Sequence, residues 1–135
     1  MIVADTNLLS YLLIEGDRTA AARKVWQRDP QWRVPSLWRA EFLNVLATAV
    51  SVRVLDEPDA LRAWTAAKRL LTGREIQPAG QSVLHAAIRD RISAYDAQFV
   101  VVAEQLGVTL VTADRKLLRA RRDLAVSIES FARMR

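Results

Sequence analysis

Met1-Ile2-Val3-Ala4-Asp5 is an apolar run closed by a carboxylate, and Val108-Thr109-Leu110-Val111-Thr112 is followed, one residue on, by Asp114. Short runs like these read as buried strands. Between them the chain alternates amphipathic stretches with further short runs. Residues 7–14 read as a first helix, and Asp17, after the break at Gly16, reads as the cap of a second helix through 28. Residues 32–34 form a strand candidate stopped by Pro35. A third helix spans 37–51 with Ser36 as its N-cap; Asp56 caps a fourth, with Pro58 in its first turn and Gly73 just past its end. The stretch 75–78 is open between strand and loop. Residues 82–91 read as helix, and Ser93 opens another that stops at Gly107. A strand over 108–111, a basic helix over 114–122 and a last strand over 125–128 complete the pattern. Strands alternating with helices predict an α/β fold: one domain over 1–135, with a parallel sheet of four to five strands flanked by helices.

A chain of 135 residues with 51% apolar and 26% charged residues suits one globular domain with a substantial core. Cysteine is absent, so disulfides, thiolate nucleophiles and Cys-based zinc sites are excluded. No apolar run approaches the roughly 18 residues needed to cross a membrane. The absence of cysteine fits a cytoplasmic protein, and an N-terminus with no basic lead-in and with Asp5 inside its apolar stretch speaks against a signal peptide. The net charge is +5, and of the 20 basic residues only Lys24, Lys68 and Lys116 are not arginine. Arginine forks suit phosphate, so a polyanionic substrate fits; a GC-rich genome would give the same bias.

Four carboxylates stand where a strand stops or a helix begins: Asp5, Glu41, Asp96 and Asp114. In a parallel α/β sheet the carboxyl ends of the strands share one rim, and ligands bind there. Acids converging on that rim repel, and oxygen-only sites of this kind suit Mg²⁺ or Mn²⁺. Each acid also has a plainer reading. Asp5 and Asp114 can cap the helices that follow them. Asp96 lies three residues after Ser93, the spacing of a capping box. Glu41 borders the stripe of Trp38, Phe42, Val45 and Ala49 on the third helix.

Elimination narrows the chemistry. His85 is the one histidine, on a helix and read as structural or surface, so two-histidine ribonuclease chemistry is excluded within one subunit, and catalytic zinc is disfavoured. There is no G-x-S-x-G turn, P-loop or G-x-G-x-x-G. Carboxylates holding a metal remain, and they can activate water and neutralise a phosphoryl transition state.

At this point the sequence resembles the PIN-domain nucleases, most closely the VapC-type ribonuclease toxins of bacterial toxin–antitoxin pairs. The matching segments are Ile2-Val3-Ala4-Asp5-Thr6-Asn7, Pro35-Ser36-Leu37-Trp38-Arg39-Ala40-Glu41 with Asn44 and Val45, Tyr95-Asp96-Ala97 leading to Gly107, and Leu110-Val111-Thr112-Ala113-Asp114-Arg115-Lys116-Leu117. The resemblance implies a Mg²⁺- or Mn²⁺-dependent endoribonuclease in which Asp5, Asp96 and Asp114 bind metal and Glu41 binds it directly or through water. It places Asn7, Thr112 and, on weaker grounds, Thr6 beside the acids, orienting carboxylates or the attacking water. It also implies an RNA substrate, a cognate VapB-like antitoxin, and a homodimer or a heteromer with that antitoxin. Arg115, Lys116, Arg119, Arg121 and Arg122 trail the last acid and are candidates to follow the RNA backbone, or else form a solvated helix face.

Two other readings compete. A catalytically silent module would keep the α/β frame and bind nucleic acid or protein through its basic face. A receiver-type phosphoacceptor domain would want an acidic pair beside the first strand and a lysine at a later strand end; Asp5 has no adjacent acid, and the three lysines fall in predicted helices.

Overall fold

The structure, a computed structural model, describes residues 1–134. The chain runs β1 (Ile2–Ala4), α1 (Thr6–Leu13), α2 (Thr19–Arg28), β2 (Trp32–Pro35), α3 (Trp38–Ser51), α4 (Glu57–Leu71) and β3 (Glu75–Ile76). It continues through α5 (Gly80–Asp90), α6 (Ala94–Leu106), β4 (Thr109–Thr112), α7 (Arg115–Ala120), β5 (Ala125–Ser127) and α8 (Ile128–Arg133). The five strands form one sheet in the order β3-β2-β1-β4-β5, and every pairing is parallel. The order reverses between β1 and β4: the chain builds outward from β1 on one side, then crosses to the other. Such a switch point leaves a crevice at the strands' carboxyl ends.

Ile2, Val3 and Ala4 are all buried because β1 is the central strand and helices cover both faces of the sheet. Their side chains alternate between two cores. Ile2 and Ala4 pack with α1, α2, α3, α4 and α8; Val3 packs with Leu110 beneath Phe99, Val100 and Val102 of α6 and Leu117 of α7. The apolar run 99–103 is buried along its whole length, which is why α6 shows little amphipathic contrast. Trp32 and Trp38 are fully buried, so core packing accounts for these two of the four tryptophans.

Several boundaries differ from the sequence reading. Asp17 does not cap α2: the N-cap is Arg18, and the Thr19 hydroxyl instead accepts from Gly16 N at 3.0 Å. Ser36 does not cap α3, whose N-cap is Leu37 without a side-chain bond. Pro35 closes β2 from within, opposite Ile76 of β3, where a missing N–H is tolerated at a strand end. The open stretch 75–78 resolves into the two-residue β3 followed by loop. Thr112 belongs to β4, and the basic helix ends at Ala120. Ile128 is the first residue of α8, not the end of a strand; Ser127 caps that helix by accepting from Ser130 N at 3.1 Å. The expected caps Asp56 and Ser93 are present, and Gly107 takes the left-handed conformation (φ 65°) that ends α6. Among the described residues no helix is long and apolar enough to cross a membrane.

Candidate metal centre

Asp5 leaves β1 with extended backbone and becomes the N-cap of α1, its Oδ1 accepting from Asn7 N at 2.5 Å. The neighbouring strand β4 runs in register, Ala4 beside Val111, and so brings Thr112 alongside Asp5. The Thr112 hydroxyl donates to Asp5 Oδ2 and accepts from Asp114 N at 2.9 Å. One buried threonine therefore ties together the two acids that end β1 and follow β4. Asp114 caps α7, its Oδ1 accepting from Lys116 N at 2.7 Å and Leu117 N at 3.2 Å. Glu41, one turn into α3, accepts from the Thr6 hydroxyl at 2.7 Å. Asp96 sits in the first turn of α6, its backbone N donating to Ser93 Oγ at 3.0 Å. In Asp5 and Asp114, capping and facing the crevice are thus combined in one side chain.

Asp5, Glu41, Asp96 and Asp114 line one cavity of about 290 Å³ at the switch point, together with Thr6, Asn7 and Asn44. Thr112 lies beneath it, wholly buried. Among the described residues none of the four acids is in an ion pair with lysine or arginine. Burial raises the pKa of Asp5 above the ordinary aspartate value, against the hydrogen bonds from Thr112 and Asn7, and the charges of Asp114 and Asp96 push the same way. Glu41 is raised for the same leading reason, opposed by the Thr6 bond and reinforced by Asp5 and Asp96. Asp96 is raised by burial and by Asp114, with Ser93 and Lys116 acting in opposition.

This donor set, carboxylate oxygens backed by hydroxyls and amides, fits a hard divalent cation. Its geometry is open: among the described residues no three acidic or histidine side chains stand close enough to one point to hold an ion together. Asp5 and Asp114 spend oxygens on the caps, and uncompensated carboxylates 4 Å apart would repel by roughly 4 kcal/mol at an effective dielectric near 20. Each acid keeps lone pairs free for a ligand.

Arg115, Lys116 and Arg119 are exposed on α7 beside the cavity, and among the described residues none is ion-paired. Arg121 departs from the sequence reading. It lies past the end of α7, its side chain only 13% exposed, in contact with Asp90 at 3.2 Å, Glu104 at 3.2 Å and Asp123 at 2.9 Å. Glu104 also meets Arg89 at 3.2 Å. Arg121→Gln is therefore expected to cost about 2 kcal/mol of stability, because Asp90 is left half-compensated. Chemical denaturation checks it. His85 is exposed on α5, away from the acids.

The site and the sheet order define the class of the protein. Residues 2–123 match the PIN domain family, and the chain belongs to it. PIN domains are generally metal-dependent nucleases. Among solved structures the chain is similar to PAE2754 from Pyrobaculum aerophilum, with 25% sequence identity and a TM-score of 0.75, over 97% of this chain and 85% of that one. No curated protein matches the chain significantly.

Proposed function

We propose that this chain is a Mg²⁺- or Mn²⁺-dependent endoribonuclease that acts in the cytoplasm as the toxin of a toxin–antitoxin pair. It works as a homodimer or in a heteromer with a VapB-like antitoxin. The observation that carries the nuclease reading is the meeting of four carboxylates, from α3, α6 and the segments that follow β1 and β4, in one cavity with no basic partner among the described residues. Asp5, Asp96 and Asp114 would hold the ion, and Glu41 would hold it directly or through water. A divalent cation there supplies charge neutralisation at the phosphoryl oxygens and a more acidic water. Thr112 fixes the rotamer of Asp5, and Thr6 fixes that of Glu41, so neither acid has to reorganise as the substrate arrives. Asn7, exposed at the mouth, orients a carboxylate or the attacking water. The toxin role and the antitoxin rest on the resemblance of the four motif segments. The assay is cleavage of structured RNA with and without Mn²⁺; cleavage that persists in chelator overturns the reading.

Arg115, Lys116 and Arg119 would track the RNA backbone leading into the cavity. Arg115→Ala and Lys116→Ala are each expected to weaken single-stranded RNA binding uniformly across sequences. Each should also flatten the slope of log affinity against log salt by about 0.7. Fluorescence anisotropy in the uncut Asp96→Asn background reads both effects; an unchanged slope would remove α7 from the interface.

A further inference from the structure

We propose that a second cavity, between α1 and the start of α2, receives an unpaired base of the RNA next to the scissile phosphate, with Arg18 as the residue that reads it; this rests on the nuclease reading above. The cavity measures about 350 Å³, and Tyr11, Ile14 and Val45 form much of its wall. Val45 also lines the acid cavity, so one α3 side chain separates the two spaces. Helix α1 links them as well: Thr6 faces the acids, and Tyr11, roughly 7.5 Å further along the axis, faces the second cavity. A nucleotide adjoining a phosphate held at the acids is within reach of it.

The chemistry of the walls selects a base over a phosphate. Unpaired bases are bound by apolar and guanidinium surfaces and read at their polar edges. Arg18 lies over the Tyr11 ring, 4.8 Å from its centroid, and donates through Nη1 to the Tyr11 hydroxyl at 3.2 Å. Its Nε donates to Glu129 Oε1 at 3.2 Å, and Nη2 donates to the same oxygen. Three of the five guanidinium N–H groups are thus engaged, and among the described residues the other two have no partner. The side chain is 38% exposed, so it is held firmly yet remains accessible. Glu15 and Asp17 also line the cavity, and their charges disfavour a backbone phosphate while accepting N–H groups from a base edge. Glu129 comes from α8, 111 residues away in sequence and beyond the stretch that matches the PIN family. The anchor of the reader therefore belongs to this chain's own C-terminal segment.

The test is sequencing of cleavage ends from a randomised single-stranded RNA pool with Mn²⁺, for wild type, Arg18→Gln, Arg18→Lys and Glu129→Gln. Wild type is expected to favour particular bases at one fixed position beside the cut by about tenfold, the scale of one lost base contact. In Arg18→Gln and in Arg18→Lys, which keeps the charge but loses the fork, the rates at the four bases converge. Glu129→Gln, a positioning change, gives partial convergence without a change in metal dependence. An active wild type with no preference beside the cut, or variants that keep the wild-type profile, overturns the inference; so does a partner protein's side chain found to fill the cavity instead. If wild type does not cut RNA at all, the nuclease reading itself fails. Affinity for labelled tetranucleotides then decides the subsite, and equal affinities for wild type and Arg18→Gln across all sequences reject it.

Discussion

Asp96→Asn is expected to lower kcat for Mn²⁺-supported RNA cleavage by at least about a hundredfold while leaving the fold intact. A cation at such a centre contributes several kcal/mol to the transition state, and each 1.36 kcal/mol is about tenfold in rate. Asp96 is the sharpest of the four acids to test because its structural duties are light. The capping bond to Ser93 is made by the Asp96 backbone N–H, which asparagine keeps. Asp114, by contrast, accepts from Lys116 N and Leu117 N through its side chain, so its replacement mixes helix capping with chemistry. Cleavage by Asp96→Asn at the wild-type rate would exclude this carboxylate from the reaction.

The second large effect is thermal. Mn²⁺ at about 100 times its Kd should stabilise the wild type by about 2.7 kcal/mol, on the order of 10 °C in Tm for a domain of this size. Asp5→Asn should behave oppositely in each respect: a higher Tm without metal at neutral pH, and a much smaller response to Mn²⁺. Asparagine remains a good N-cap, so the Asn7 contact is retained while one buried charge is removed. The pH dependence follows from the direction of the shifts. Asp5, Glu41 and Asp96 bind protons more tightly in the folded chain than at their ordinary values of 3.8, 4.5 and 3.8. Their protonated forms contribute stability below those values, and it is lost as pH rises through the raised folded values. The Tm advantage of Asp5→Asn over wild type in chelator should therefore shrink on acidification toward those ordinary values. Asp90, Glu75 and Glu129, whose pKa values are lowered by arginine partners, act in the opposite sense but equally in both proteins. A Tm difference independent of pH would mean that Asp5 carries no excess proton affinity.

The alternation of apolar runs and helices was enough to predict the parallel sheet, because burial on both faces leaves short continuous runs such as Ile2-Val3-Ala4, too short for a helix and followed at once by a helix cap. It left β3 undecided because Glu75 and Ile76 are only half-buried at the sheet edge and make just two pairings. Helix α8 went unread because Val126-Ser127-Ile128 continues an apolar pattern straight across the strand–helix boundary; only the Ser127 cap marks the change. Local signals also misplaced two caps. Asp17 and Ser36 have the right chemistry, but α2 and α3 each begin one residue later than such a cap would require.

The four acids were legible from their places at strand ends and helix starts, positions that topology alone makes neighbours. What sequence does not carry is the order β3-β2-β1-β4-β5, which sets Asp5 and Asp114 on adjacent strands. Nor does it carry the Thr112 bridge between them, a contact across 107 residues. The same holds for Arg121 and Arg18. Both are arginines in polar local contexts, and their acidic partners are brought to them by tertiary packing.

The most direct measurement is the anomalous difference map of a crystal soaked in Mn²⁺. A peak is expected in the crevice between β1 and β4, with oxygens of Asp5, Asp96 and Asp114 at roughly 2.0–2.2 Å, the range for small octahedral cations. Manganese bound elsewhere on the molecule, with that crevice empty at saturating concentration, would contradict it.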